Sequence, residues 1–112
     1  MKQEYMKRLQ VPEAKYRAKP FWAWNGRLEE KELHYQIDIM KEMGFGGFFM
    51  HSRTGLSTEY MGKEWFKFIR SCAIYGYNRG LEAWLYDEDR WPSGTCGGLV
   101  TEKRENRMRF IS

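Results

Sequence analysis

A chain of 112 residues has room for one domain. Its 42% hydrophobic and 30% charged content supplies enough apolar surface for a core, which excludes a disordered chain. The net charge of +4 leans weakly towards acidic partners, but the basic residues are scattered, with small groups at Lys7-Arg8 and Lys103-Arg104, and nothing matches a nucleic-acid-binding signature.

No run of about eighteen apolar residues exists to cross a membrane, and Met1 to Lys19 lacks the apolar segment of a signal peptide. Cys72 and Cys96 form no CxxC pair and share no metal-ligand spacing with His34 or His51. Both are expected as free thiols in a reducing compartment, with the cytoplasm as the expected location. The aromatic share of 17%, with five Trp, is high. A core accounts for it first, and a surface that stacks on sugar rings second.

Residues 1–20 read as a lead-in, poor in apolar residues and punctuated by Pro12 and Pro20. Phe21 to Trp24 is a short aromatic run ending in Asn25-Gly26, the pattern of a strand and turn. Leu28 to Met43 has helical period: Leu33, Ile37 and Met40 share a face, acidic residues crowd the first turn, and Gly44 stands where a helix stops. Gly46 to Met50 predicts a second strand with no polar alternation, so both of its faces are expected to be covered. His51 to Gly55 reads as the loop after it. A second helix is expected from Gly62 or Lys63 to about Arg79, burying Phe66, Ile69 and Ala73 with Trp65 beside them, and stopping at Gly80. Leu81 to Tyr86 predicts a third strand, and Thr101 is placed to cap a third helix from Glu102 to Phe110.

The order is therefore β-α-β-α-β-α. Strand starts at Phe21, Gly46 and Leu81 lie about 25 and about 35 residues apart, near the length of one βα repeat. Parallel strands gather their C-terminal ends on one face, where ligands bind. Those ends are Asn25, then His51 and Arg53, then Asp87, Glu88, Asp89 and Trp91. Adjacent carboxylates at the end of a buried strand are costly unless solvated, paired or metal-bound. Each residue also has a plainer role available. His51 fits a structural histidine, Arg53 an internal partner for Asp87 or Glu88, and Asn25 a turn residue. The acid run fits a loop surface, and Trp91 a plug over the rim. Asp87 to Asp89 reads as the only acidic group at this edge. Gly44-x-Gly46-Gly47 precedes a strand and so is no dinucleotide fingerprint, and Cys96 has no base fixed beside it in sequence.

Three blocks, Pro20 to Gly26, Met43 to Arg53 and Trp84 to Gly94, resemble the start of the barrel domain in alpha-L-rhamnosidase-type glycoside hydrolases, and Tyr60 to Phe66 resembles the connecting segment there. The resemblance spans Lys19 to Arg109. It implies a partial (β/α)8 barrel, with residues 21–112 as its first three βα units. It implies glycosidic hydrolysis with a carbohydrate substrate, catalytic carboxylates on later strands, and a calcium ion near the sugar in some members. Asn25, His51, Arg53, Asp87, Glu88, Asp89 and Trp91 would then be substrate-binding. Such a barrel needs about 250 residues, so the chain is expected to be inactive alone and to need a second chain or self-association. The rival expectations are a non-catalytic carbohydrate-binding module and an inactive truncated remnant.

Overall fold

The computed structural model describes residues 1–89 and 94–111. Helix α1 spans Lys2–Gln10 within the lead-in. Its residues are good helix formers, and Arg8 pairs with Glu4 one turn earlier. It buries none of its side chains. Hydrophobic periodicity therefore carries no sign of it, and only propensity does. A 3-10 turn at Ala14–Tyr16 links it to the sheet.

Strand β1 is Phe21–Trp24, helix α2 Glu30–Glu42, strand β2 Gly47–Ser52, helix α3 Lys63–Tyr77 and strand β3 Glu82–Leu85. The strands form one parallel sheet in the order β1-β2-β3. Phe21 pairs with Phe49 across the first ladder, and Phe49 with Trp84 across the second. The architecture is α/β, compatible with part of a βα repeat.

Both helices lie on the same face of the sheet. From α2, Leu33, Ile37 and Met40 face the core as the periodicity requires. The Trp22 indole N–H donates to Gln36 of α2 at 2.7 Å. From α3, the Trp65 indole N–H donates to Ser52 Oγ at 2.9 Å, and Gly76 lies against the Phe48 ring. A Cβ on Gly76 would stand 2.9 Å from that ring, so a glycine lets helix and strand approach closely. At the N-terminal edge, a Cβ on Gly47 would collide with the Glu82 carbonyl, so a glycine is also required where β2 begins to pair with β3.

Four expectations need correction. First, the buried stripe of α3 is Trp65, Cys72 and Gly76, with Ile69 packed beside them; Phe66 is 49% exposed. Trp65 and Phe66 sit about 100° apart on a helix, so only one can face the sheet, and the Ser52 hydroxyl gives the Trp65 N–H its partner. Second, β2 runs on through His51 and Ser52, which the Gly46–Met50 reading assigned to the loop; pairing with Ala23 and Trp24 holds them in the sheet. Third, α2 and α3 pack on one face of the sheet only, and on the second face β2 is shielded by neighbouring side chains, with the Phe21 and Tyr86 rings over His51. Phe21, Phe49 and Trp84 line that open face, and Phe21 and Trp84 are 51% and 49% exposed. Fourth, the helix from Glu102 to Phe110 does not form. Short 3-10 turns at Cys96–Gly98 and Arg104–Asn106 stand in that region. Thr101 Oγ1 donates to the Gly98 carbonyl rather than capping a helix. The segment has no apolar stripe to dock, and a nine-residue helix without docking is unstable in water.

Candidate functional site

Because the strands are parallel, Asn25, Arg53 and Asp87 leave the sheet at one edge. The ladders continue past the strand ends: Arg53 N–H donates to the Trp24 carbonyl and Tyr86 N–H to the Met50 carbonyl, both at 3.0 Å. The loop after β2 folds over the end of β1. Ser57 N–H donates to the Gly26 carbonyl at 3.1 Å, and Leu28 N–H to Thr58 Oγ1 at 3.3 Å. Gly55 makes this possible. Its φ is +100°, and a Cβ there would stand 2.7 Å from the Asn25 carbonyl oxygen.

The loop after β2 walls a cleft of about 320 Å³, lined by Arg53, Thr58, Glu59, Tyr60, Asp89 and Gly97 among others. A neighbouring cleft of about 220 Å³ is lined by Asp87, Glu88, Asp89, Thr95 and Cys96 among others. Asp89 is buried and borders both. Glu59 corrects the expectation that Asp87 to Asp89 is the only acidic group at this edge. It sits in the β2–α3 loop, far from Asp89 in sequence, and only the folding of that loop brings both to one cleft. Tyr60 was legible only as part of a connecting segment. Its hydroxyl donates to the Asp87 carbonyl at 3.5 Å, its ring packs edge-on against Trp65, and burial pushes its phenol pKa up.

His51 points to the open face, yet it is only 3% exposed. The Phe21 ring covers it at 4.3 Å and the Tyr86 ring meets it edge-on at 4.4 Å. Burial lowers its pKa first, and the Arg53 charge adds to this; Glu88 and Asp89 act in the opposite sense. The neutral imidazole is therefore favoured. The buried Nδ1 has no hydrogen-bond partner, and neither does the buried Oε2 of Glu88. A buried polar atom left unpaired costs about 1–3 kcal/mol, and most such groups in folded proteins are satisfied.

The structure brings His51, Arg53, Asp87, Glu88 and Asp89 to one edge, with Asn25 beside them on the β1 loop. Among the described residues no ion pair joins Arg53 to Asp87 or Glu88. Trp91 lies outside the described residues. Among the described residues no three His, Cys, Asp or Glu side chains are placed to hold a metal ion together. No chemistry below is routed through one. Cys72 and Cys96 are both free, Cys72 within the core and Cys96 beside the second cleft. Among the described residues no helix is long and apolar enough to cross a membrane. Comparison with protein-family models, with curated proteins and with solved structures finds no match to this chain.

Proposed function

We propose that this chain is the sugar-facing portion of a glycoside hydrolase (β/α)8 barrel of the alpha-L-rhamnosidase type. One observation carries the reading. Three parallel strands deliver His51, Arg53 and the Asp87–Asp89 run to a single edge, around two open clefts. Ligands of α/β barrels bind at that edge. Carboxylates and an arginine there suit sugar hydroxyls, because both make directional, charge-assisted hydrogen bonds. In this reading the remaining strands of the barrel cover the aromatic open face and carry the principal catalytic carboxylates. The two free thiols fit a reducing, cytoplasmic setting.

Hydrolysis with two carboxyls requires them about 5 Å apart for retention, or about 6.5–9.5 Å apart for inversion. Asp87, Glu88 and Asp89 are sequence neighbours on one strand end, so they serve the binding role in this proposal. A non-catalytic carbohydrate-binding module is the second reading, favoured by the exposed rings of Phe21 and Trp84.

Calorimetric titration with L-rhamnose, beside an aryl alpha-L-rhamnoside hydrolysis assay, tests both. Saturable binding, weakened at least tenfold by Asp87→Ala, is the expected result, with no turnover by the chain alone. Binding that persists in a full-length enzyme lacking hydrolysis would favour the binding module. No saturable binding would overturn the carbohydrate reading altogether.

A further inference from the structure

The N-terminal edge of the sheet, opposite the strand-end clefts, has a cleft of its own. It measures about 290 Å³ and lies between the lead-in, the end of α2 and the turn after α3. The lead-in wall is pinned in place. Gly46 N–H, just before β2, donates to the Ala18 carbonyl at 3.0 Å, and a Cβ on Gly46 would collide with the Ala14 carbonyl, so a glycine lets this wall seat against the sheet. Arg17 Nε donates to the Pro12 carbonyl at 2.7 Å, and Lys19 pairs with Glu82 of β3 at 3.2 Å. Three cations from three segments line the cleft: Arg17 from the lead-in, Lys41 from the last turn of α2, and Arg79 from beyond α3. We propose that this cleft binds a small organic anion, with its carboxylate or phosphate on Arg17 and Lys41 and its apolar part against Phe45 and Leu81.

The charge balance selects the ligand class. Cations near helix C-termini commonly serve the last carbonyls. Here those carbonyls have backbone donors: Phe45 N–H donates to the Met40 carbonyl at 3.1 Å, and Leu81 N–H to the Gly76 carbonyl at 3.0 Å. Arg79 is engaged, donating to Asp38 and to the Tyr75 carbonyl. Among the described residues no carboxylate pairs with Arg17 or Lys41. The acid in the lining, Glu13, pairs with Lys15 at 3.1 Å. Positive charge is therefore in surplus, so a cation is repelled and a neutral ligand leaves the surplus standing. A guanidinium presents paired N–H donors that match a carboxylate or a phosphate, and an ammonium adds a point charge. Leu81 is buried and Phe45 half-buried, which gives the ligand an apolar wall. The volume lies near the lower bound of about 300 Å³ for ligand pockets and admits one ring or a short chain. The cleft shares no residue with the strand-end clefts, so the proposal stands apart from the carbohydrate reading.

The test is calorimetric titration of the whole chain with phenyl phosphate, benzoate and inorganic phosphate. It is run at about 0.15 M salt, where exposed charges are screened beyond roughly 8 Å. Saturable binding of phenyl phosphate or benzoate is expected, and the tighter of the two identifies the head group. Inorganic phosphate is expected to bind at least tenfold more weakly than that probe. Lys41→Gln and Arg17→Lys are each expected to weaken binding at least tenfold while circular dichroism stays unchanged. Lys31→Gln, about 15 Å earlier along α2, is expected to bind as the wild type does. Absence of saturable binding by both organic probes, unaltered affinity in Lys41→Gln and Arg17→Lys, or an equal loss in Lys31→Gln would overturn the site. Inorganic phosphate binding as tightly as the organic probes would overturn the apolar contact with Phe45 and Leu81.

Discussion

The two faces of the sheet carry similar side chains and meet opposite fates. On the helix-covered face, Phe48 is 0% exposed, and Trp24 and Met50 are fully buried beside it. On the open face, Phe21 and Trp84 are about half exposed although they occupy the same three strands. Alternation along a strand decides which face a residue takes, and the layer packed against that face decides what burial it gains. Stability therefore resides on one face. The other holds aromatic surface and one concealed histidine.

The sharpest way to break this comparison is to truncate one ring on each face. Phe48→Ala is expected to cost about 3–5 kcal/mol, since it empties the space between β2, α2 and α3. Trp84→Ala is expected to cost about 1 kcal/mol or less, the scale of one cross-strand pair with Phe49. Urea unfolding followed by circular dichroism measures both. Equal losses would show that the open face is as much a core as the covered one.

A smaller effect probes the helix contact. Gly76→Val places a branched side chain against the Phe48 ring, where a single Cβ is already too close. Overpacking of this kind costs about 1–3 kcal/mol, and the same urea experiment reads it. A neutral outcome would mean that α3 can slide away from β2 without penalty.

The smallest effect belongs to His51. Its pKa is held below the ordinary value of 6.5 by burial, then by Arg53. The unfolded chain therefore binds a proton more readily than the folded one. The stabilisation is complete above about pH 6.5 and is lost as pH falls from there through the folded value. Thermal melts between pH 7.5 and 5 should show a falling midpoint in the wild type and a flatter profile in His51→Gln. Parallel profiles would show that the acid limb comes from other groups.

Chemical reactivity separates the same regions without touching the fold. Burial pushes the Cys72 thiol up to about 12, whereas Cys96 borders an open cleft. A thiol reagent at pH 8 is expected to modify Cys96 promptly and Cys72 only on unfolding. Prompt modification of both would place Cys72 outside a sealed core.

Local pattern alone was enough for β1, for α2 with its Leu33, Ile37 and Met40 stripe, and for the parallel order that sends Arg53 and Asp87 to one edge. Hydrophobic period and turn residues are properties of neighbours in the chain, so they can be read from it. Periodicity alone cannot choose between Trp65 and Phe66 for the α3 stripe, because both are large and apolar. Only the Ser52 hydroxyl across the core distinguishes them. Helix α1 leaves no hydrophobic pattern because it buries nothing, and the segment after Thr101 has no packing to support a helix.

Sequence by itself determined that this chain makes strand–helix units whose polar residues follow the strands, because period and punctuation act over a few residues. Tertiary structure alone decided that Trp65 rather than Phe66 faces the sheet and that Glu59 joins Asp89 at a cleft. It also decided that His51 is hidden on the exposed side with an unpaired nitrogen. Each of these depends on distances between residues far apart in the chain, where burial and hydrogen bonding are set by packing rather than by the order of residues.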